Sequence, residues 1–517
     1  MTSTLNFKGI TTGLLLALSF LTSQAQDQKQ PNVVFILADD LGWSDVTLYG
    51  KTSFYETPNL ERLAARGITY TKAYAASPLC SPTRASILTG QTPARTGITA
   101  PTAHLGKVKL KPTLQPNPGP ANKSVVLESV TRLNNQLPTL VKQFKKAGYA
   151  TGHFGKWHLG TAPYSPLEHG FDVDIPHFNG PGPAGSFVAP WKYQNFKAKT
   201  KNEHIEDRMG DEAVAWLRSL EPSQPFFLNY WQFSVHAPFD AKKSLKAKYR
   251  GKVDMTDAQH SITYAAMVQS MDEAVGKLLD ELDRLGRTEN TIIVFTSDNG
   301  GNMYNGVPDR LANGDQYLAP PTSNRPLRGG KATIYEGGIR VPTVISYPGM
   351  TTPGTTNESL IQSTDFYPTL LQLAGLELPN NHPIDGIDIT QTLRGESLDR
   401  EGIITYFPHQ PGVPDWLPTS VAIHKDNWKL IRLFHQGPNF EHEYLLYQLE
   451  WDISEHNNLA SVYPEKVKEL DALIQKYLDA SHAVVPVPNP NFNPEKYKPE
   501  NIGKQKGGLR GKKIEIN

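Results

Sequence analysis

The sequence predicts an α/β fold built around a large, mostly parallel sheet, followed by a smaller α+β region. Residues 32–38 and 291–297 are continuous apolar runs, which is typical of strands buried on both faces. Residues 137–147 and 275–286 carry apolar side chains at helical spacing, and each segment ends at or just before a glycine. Buried strands that alternate with helices indicate a parallel sheet with helices packed on its faces.

The length and composition fit a globular protein of two parts. The chain has 517 residues, which exceeds the size at which one core usually stops growing. Charged residues make up 20%, hydrophobic residues 38%, and the formal net charge is +1. This balance gives no support to nucleic-acid binding. We predict a signal peptide at residues 1–25, a large domain at 26–375, a small C-terminal α+β domain at 376–488 and a Pro- and Lys-rich tail at 489–517.

The first residues have the pattern of a secretory signal peptide. Lys8 precedes the apolar run 13–21, and small residues follow up to Ala25. A buried N-terminal helix is the alternative, but the run is short and has a charged flank. No later stretch approaches the roughly 18 apolar residues needed to span a bilayer, and no cysteine lies near the cleavage point to carry a lipid. We therefore expect a periplasmic or secreted protein without a membrane span.

Two long stretches and a C-terminal change of pattern complete the organisation. Residues 99–135 and 300–330 are rich in Pro, Gly and Asn, and irregular segments of that length tend to be functional. We expect them to build a cleft. After Gly375, short apolar segments at 428–434 and 443–449 suggest the small α+β domain.

Acidic pairs follow both of the predicted central strands. Asp39 and Asp40 come directly after the first, and Asp298 and Asn299 come directly after the second. Carboxyl ends of strands in an open α/β sheet are where ligands gather. For either pair alone, hydrogen bonding to the loop backbone is the simpler explanation. Together, the carboxylates and the amide oxygen predict a site for Ca²⁺ or Mg²⁺.

Cys80 is the single cysteine of the chain, so it forms no disulfide within it. A buried core cysteine is the simplest explanation. Its neighbours are more specific, because residues 80–90, CSPTRASILTG, resemble the sulfatase signature Cys-x-Pro-Ser-Arg followed by Leu-Thr-Gly. Thr83 replaces the commoner Ser. Pro82 suits the first turn of a helix, whose amino end would direct partial positive charge at residue 80.

Further motifs extend the resemblance over most of the chain, in the order that the sulfatase family uses. They are FILADDLGW (35–43), GKWHLG (155–160), HAP (236–238), SDNGG (297–301), GGKATIYEGGIRVP (329–342), QSTDFYP (362–368) and LYQL (446–449). The chain therefore resembles the formylglycine-dependent sulfatases, and among them the bacterial polysaccharide sulfatases. The resemblance implies an alkaline-phosphatase-like α/β sandwich with a smaller C-terminal α+β domain.

The resemblance also assigns roles to residues of the matched motifs. Cys80 would be converted to formylglycine (3-oxoalanine) by a formylglycine-generating or anaerobic sulfatase-maturating enzyme, and Arg84 would hold the aldehyde hydrate. His236 is the leading candidate for the acid toward the leaving group and His158 for breakdown of the sulfated hydrate, although these roles are exchangeable. Each histidine by itself is more often structural. Lys156 and Lys331 would clamp the sulfate, and Ca²⁺, with Mg²⁺ as the alternative, would be bound by Asp39, Asp40, Cys80, Asp298 and Asn299.

These roles predict a sulfuric ester hydrolase. Cleavage needs a nucleophile, neutralisation of a crowded anion and a proton for the departing alkoxide. The export signal and the cleft-forming stretches favour a sulfated carbohydrate, such as ulvan or carrageenan. Small aryl sulfates, phosphate or phosphonate monoesters, and a non-catalytic role in binding sulfated glycans are the alternatives. Further candidates for substrate contact lie in or beside the irregular stretches: His104, His153, Trp191, Arg310, Arg325 and Arg328.

Overall fold

The computed structural model describes residues 1, 2 and 30–504. Its strands, in chain order, are β1 (Asn32–Ala38), β2 (Ile68–Tyr70), β3 (Ala73–Tyr74), β4 (Thr113–Leu114), β5 (Leu127–Glu128), β6 (Ala150–Gly155), β7 (Val173–Ile175), β8 (Phe226–Trp231), β9 (Thr291–Ser297), β10 (Val307–Arg310), β11 (Gln316–Ala319), β12 (Thr343–Ser346), β13 (Thr355–Asn357), β14 (Ile361–Gln362), β15 (Ile403–Phe407), β16 (Ser420–Lys425), β17 (Trp428–Leu433) and β18 (Glu443–Gln448).

Its α-helices are α1 (Pro58–Ala64), α2 (Cys80–Thr89), α3 (Pro93–Thr96), α4 (Leu140–Lys146), α5 (Ile205–Ser219), α6 (Lys243–Arg250), α7 (Ile262–Arg284), α8 (Glu336–Ile339), α9 (Phe366–Leu373) and α10 (Pro464–Ala480). No helix among these residues combines the length and the apolar character that crossing a membrane requires.

Within the described residues, the central sheet has eight strands in the order β13-β2-β12-β9-β1-β8-β6-β7. Strand β1 lies inside it and pairs in parallel with β8 and with β9. Only β12 runs antiparallel to its neighbours β2 and β9. The predicted large, mostly parallel sheet is therefore confirmed.

The sheet is covered by helices on both faces, because its central strands are apolar on both sides. Val34 and Ile36 of β1 pack in one core with α1, α5 and α7. Val33 and Phe35 pack in the opposite core with α2, α4 and α9. Alternate side chains of a strand point to opposite faces, so a continuous apolar run supplies both layers.

Two local predictions differ from the structure. Helix α4 begins at Leu140 rather than at Leu137, because Thr139 has an extended backbone and its hydroxyl donates to the carbonyl of His169. The stretch 300–330 is not irregular throughout, since β10 and β11 form an antiparallel hairpin. Asn313 and Gly314 lie at the turn of this hairpin, with a positive φ of 95° at Gly314.

The C-terminal part is a four-stranded antiparallel sheet, β15-β16-β17-β18, as far as the described residues extend. Helix α10 packs on one face. The opposite face contacts Leu79, Ile334 and Tyr335, which adjoin Cys80 and Lys331 in the chain. This sheet therefore supports two segments of the site described below.

Both chain ends carry predictions that the structure covers only in part. The predicted signal peptide falls outside the described residues apart from Met1 and Thr2. Of the predicted tail 489–517, the described residues end at Lys504. Within it, the Asn489 side chain donates hydrogen bonds to the carbonyls of Gly119 and Asn122, so the start of this segment is held against the loop before β5.

Candidate active site

Residues from distant parts of the sequence meet at the carboxyl ends of neighbouring parallel strands. Asp39 and Asp40 follow β1, Asp298 follows β9, and His236 lies beyond β8. Ligand atoms of Asp39, Asp40, His236 and Cys80 all lie within 4.8 Å of one another. The strand order β9-β1-β8-β6 explains this proximity, because ends of adjacent parallel strands share one edge. We call this site the central cluster: Asp39, Asp40, Cys80, Arg84, Lys156, Asp298, Asn299 and Lys331.

Each carboxylate of the central cluster faces a cation. Lys156 Nζ lies 2.6 Å from Asp39 Oδ2. Lys331 Nζ lies 2.7 Å from Asp40 Oδ1. These charges are held in the interior, since the Asp39, Asp40 and Lys156 side chains have no exposed surface. Interactions among them are therefore much stronger than among surface charges.

Arg84 binds the third carboxylate rather than standing free. Its guanidinium contacts Asp298 Oδ2 at 2.7 and 2.8 Å and donates to the carbonyl of Lys156 at 2.6 Å. It also stacks over the ring of Trp231, 5.1 Å from the ring centre. Arg84 thus ties helix α2 to the loops after β9 and β6.

Two oxygen atoms of the central cluster accept no hydrogen bond from the described residues. Asp39 Oδ1 and Asn299 Oδ1 are buried and have no hydrogen-bond partner among the residues that the structure describes. Burial raises the pKa of Asp39 well above its usual value, and Lys156 offsets only part of that rise. Buried carboxylate and amide oxygens without partners are the donors that a hard cation such as Ca²⁺ takes. The residues present therefore fit the predicted cation.

Cys80 is the first residue of helix α2, and all ten residues of that helix are buried. Burial raises the pKa of the Cys80 thiol, although Lys156 and Lys331 act in the opposite direction. A thiol of raised pKa holds its proton and is a weak nucleophile. The surroundings of Cys80 thus disfavour direct attack by a thiolate.

The two candidate histidines are positioned in different ways. His236 Nδ1 lies 2.6 Å from the carbonyl of Ala237, which can only accept, so Nδ1 carries a proton. Its Nε2 lies 3.7 Å from Asp40 Oδ2. His158 Nε2 is 2.9 Å from His104 Nδ1. Burial holds the pKa of both His158 and His236 well below the usual value; Lys156 adds to the shift at His158, and Lys331 and Lys156 add to it at His236.

The further candidates for substrate contact are distributed unevenly. His104 lies within hydrogen-bond distance of the candidate catalytic residue His158. His153 is fully buried beside Trp157 and Trp231, and Trp191 is in the core beside Tyr193.

The arginines among these candidates also have different surroundings. Arg310 is exposed on the β10–β11 hairpin. Arg328 donates to the carbonyl of Glu455 and covers the ring of Tyr335. The carbonyl of Arg325 accepts a hydrogen bond from Ser44.

Sequence reasoning missed two supporting residues. Glu206 of α5 accepts hydrogen bonds from the backbone N–H groups of Phe233 and Ser234, at 2.9 and 2.8 Å, in the segment that leads to His236. Asn324 donates to the carbonyls of Gly301 and Gly329 and so joins the loops that carry Asn299 and Lys331. Neither residue lies in a pattern that signals such a role.

Comparison with known proteins agrees with this geometry. Residues 31–376 match the family model "Sulfatase", and residues 330–483 match "N-sulphoglucosamine sulphohydrolase, C-terminal". The chain is 35% identical over 410 residues to N-acetylgalactosamine-6-sulfatase of Rattus norvegicus, which covers 75% of this chain and 70% of the relative. It is 31% identical to a sulfatase of Formosa agariphila, covering 88% and 89%.

Solved structures give the same result. The crystal structure of Ps i-CgsB in complex with k-i-k-neocarrahexaose superposes with a TM-score of 0.69 at 26% identity, covering 87% of this chain and 93% of that one. The fold is thus that of the sulfatases, including the C-terminal antiparallel sheet. The family model matches most of the chain, and named sulfatases are 31–35% identical to it, so this chain belongs to the sulfatase family and is a sulfatase.

Proposed function

We propose that this sulfatase hydrolyses sulfate esters of a sulfated carbohydrate, with formylglycine formed from Cys80 as its nucleophile and Ca²⁺ as its cation. The observation that carries the proposal is the pair of buried oxygens Asp39 Oδ1 and Asn299 Oδ1 in the cluster around Cys80. Neither accepts a hydrogen bond from the described residues, and the guanidinium of Arg84 comes no closer than 3.8 Å to Asp39 Oδ1. Asp39, Asp40, Asp298 and Asn299 would hold the cation together with residue 80.

Ca²⁺ and formylglycine would each supply one kind of chemistry to the site. Ca²⁺, when bound, supplies positive charge that neutralises the sulfate and makes a hydroxyl of residue 80 more acidic. Formylglycine in its hydrated form supplies one hydroxyl for attack on sulfur and a second whose deprotonation re-forms the aldehyde and expels sulfate.

Lys156 and Lys331 would change partners when the cation binds. Their ammonium groups now lie 2.6 Å from Asp39 and 2.7 Å from Asp40. With Ca²⁺ held by the carboxylates of the central cluster, the ammonium groups of Lys156 and Lys331 would be available to bind sulfate oxygens. Fixed cations aimed at a transferring group stabilise the charge that develops in the transition state.

Proton transfer falls to His236 and His158. Since Nδ1 of His236 is fixed by the carbonyl of Ala237, Nε2 is the atom that would pass a proton to the leaving oxygen. That role requires the doubly protonated ring, which the negative charge of a bound sulfate ester would favour. His158 would exchange a proton with the hydrate, with His104 at 2.9 Å as its neighbour. The two histidine roles remain exchangeable.

The relatives support a carbohydrate substrate. Named relatives act on N-acetylgalactosamine 6-sulfate groups, and one structural neighbour binds a neocarrahexaose. We propose an algal polysaccharide such as carrageenan or ulvan, or its oligosaccharides, as the substrate. We also propose export by the signal peptide to the periplasm or medium, and maturation of Cys80 by a formylglycine-generating or anaerobic sulfatase-maturating enzyme.

Two measurements test the proposal. Mass spectrometry of the peptide containing residue 80, after co-expression with a maturation enzyme, should show loss of sulfur and gain of an aldehyde. Sulfate release from carrageenan, ulvan, fucoidan and glycosaminoglycan fragments should then be detected for the wild type and be absent in Cys80→Ser. Activity on nitrophenyl sulfate or nitrophenyl phosphate without any on glycans would contradict the carbohydrate substrate. Glycan binding without sulfate release by either form would contradict catalysis.

A further inference from the structure

A cationic cavity lies between helix α6 and the β10–β11 hairpin, outside the central cluster. Its volume is about 590 Å³, and Lys246, Arg250 and Arg310 line it together with Tyr317. Arg310 is exposed, whereas Lys246 and Arg250 are half-buried. We propose that this basic cavity binds a sulfate or carboxylate group on a sugar remote from the one that is desulfated. The inference deepens the proposed function and rests on it.

The charge of the basic cavity is not neutralised by the described part of the protein. Lys246, Arg250 and Arg310 have no carboxylate within ion-pair distance among residues 30–504. The nearby Lys248 and Lys252, in contrast, both form ion pairs with Glu56. A concave surface lined by charges of one sign attracts ions of the opposite sign, so the three cations together favour binding of an external anion.

The acid nearest in the lining does not compensate this charge. Asp309 also lines the cavity, but only 5% of its surface is exposed. Its carboxylate accepts hydrogen bonds from Ser261 Oγ at 3.0 Å and Thr263 Oγ1 at 2.6 Å. The carboxylate of Asp309 is therefore engaged by hydroxyl groups at the start of α7 and does not form an ion pair with the cations of the cavity.

Arg250 is held in place by the hairpin. Its Nε donates to the backbone carbonyl of Arg310 at 2.9 Å. This bond fixes the plane of the guanidinium and leaves both terminal nitrogens available. A guanidinium held in one plane suits two-point recognition of a sulfate or carboxylate.

A chain of hydrogen bonds through buried residues connects the lining of the basic cavity to the segment that follows the central cluster's Asp40. The hairpin lies in the chain between Asn299 and Lys331. Asp309 binds the start of α7, and the hydroxyl of Tyr264 in that helix donates to Asp45 at 2.7 Å, five residues after Asp40. A polymer that presents one sulfate at residue 80 has further anionic groups along its length, and a second site raises its overall affinity.

Kinetics with substrates of two lengths test the inference. Lys246→Glu/Arg310→Glu reverses two cavity charges, and the control Lys243→Glu/Lys201→Glu makes the same change at exposed lysines outside the cavity. We expect KM for a sulfated hexasaccharide to rise about 10-fold in the cavity variant, with kcat unchanged. KM for a monosulfated monosaccharide should not change. Equal increases in the control, or with the monosaccharide, would overturn the inference.

Calorimetric binding to the Cys80→Ser protein separates this inference from the proposed function. The sulfated hexasaccharide should bind about 10-fold more weakly after charge reversal in the cavity, and its unsulfated counterpart should show no such difference. If inorganic sulfate binds the cavity as tightly as the hexasaccharide, the site takes a free anion and the inference fails. If the binding difference persists while the wild type releases sulfate from no glycan, the proposed function fails and the cavity assignment stands.

Discussion

Two buried groups of charges lie at opposite ends of the segment 331–340, and they differ in how far protein atoms complete them. In the central cluster, Asp39 Oδ1 and Asn299 Oδ1 have no hydrogen-bond partner among the described residues, and the guanidinium of Arg84 is 3.8 Å from Asp39 Oδ1. The second group, the junction cluster, consists of Glu336, Arg340, His424, Lys429 and Glu455 and joins this segment to the C-terminal sheet.

Every carboxylate oxygen of the junction cluster has a cation or donor nearby. Glu336 Oε1 lies 2.7 Å from His424 and 3.0 Å from Lys429, and its Oε2 accepts from Tyr74 at 2.9 Å. Glu455 Oε1 lies 2.7 Å from Lys429, and its Oε2 accepts from the backbone of Glu336. Burial alone would raise the pKa of Glu336, but Lys429 and His424 outweigh it and hold the pKa well below its usual value. Burial raises the pKa of Glu455, the second partner of Lys429, to about 7, so the two clusters differ in the distances of their partners and not in the pKa shifts.

The difference shows which buried charges are structural. A completed ion cluster holds two parts of the fold together, and removing one member leaves an uncompensated charge in the interior. An incomplete cluster is costly to the folded protein, and such sites are typical of ligand-binding positions. We therefore predict that neighbouring parts of one segment serve stability at Glu336 and chemistry at Lys331.

The largest predicted effect is on the junction cluster. Lys429→Met removes the cation shared by Glu336 and Glu455, so the free energy of unfolding should fall by about 3–5 kcal/mol in chemical denaturation. The matched control is Lys425→Met on the same sheet, whose partner Glu469 is 41% exposed. That change should cost less than about 1 kcal/mol. Equal losses in both variants would remove the distinction between the clusters.

The second prediction concerns the central cluster. Asp39→Asn removes a proposed cation ligand, so kcat/KM for sulfate release should fall roughly 10²–10³-fold. Because Lys156 loses its buried anion in this variant, kcat/KM is compared at a temperature where circular dichroism shows the variant to be folded. Retained activity of the folded variant would show that Asp39 is not a cation ligand.

The sequence predicted those parts of the site that local patterns encode. Strands β1 and β9 have the predicted bounds, because continuous apolar runs specify strands buried on both faces. Asp39, Asp40, Asp298 and Asn299 are expected in one site from their positions at strand ends, whereas Cys80, Arg84, Lys156 and Lys331 are expected there only from the resemblance to the sulfatase family. The junction cluster could not be found this way, since His424 and Lys429 lie far from Glu336 in the chain and each is an ordinary polar residue of an antiparallel strand. Their burial depends on how the C-terminal sheet packs, which no local pattern states.

The smallest predicted effect concerns the pH dependence of stability at Glu206, which has a single buried oxygen without a hydrogen bond and belongs to neither cluster. Glu206 Oε2 is buried and has no hydrogen-bond partner in the described range. Burial raises the pKa of Glu206 to about 7. The folded protein therefore keeps a proton on Glu206 after the unfolded chain has lost it, so stability contributed by this residue falls as pH rises from about 4.5 to about 7.

Glu206→Gln tests whether the stability contributed by Glu206 falls as the pH rises. The free energy of unfolding of the wild type minus that of Glu206→Gln should fall by roughly 2 kcal/mol between pH 4.5 and pH 7. Denaturant titrations at several pH values measure it. A difference that stays constant, or grows with pH, would mean that Glu206 is ionised in the folded protein.

Calcium titration by calorimetry tests the central claim, that the unpartnered oxygens around Cys80 form a cation site, most directly. Protein whose residue 80 has been shown to be an aldehyde should bind one Ca²⁺ per chain. Asp39→Asn should bind none, and Lys429→Met, at a temperature where it is folded, should bind as the wild type does. Absence of binding in the wild type, or undiminished binding by Asp39→Asn, would contradict the account.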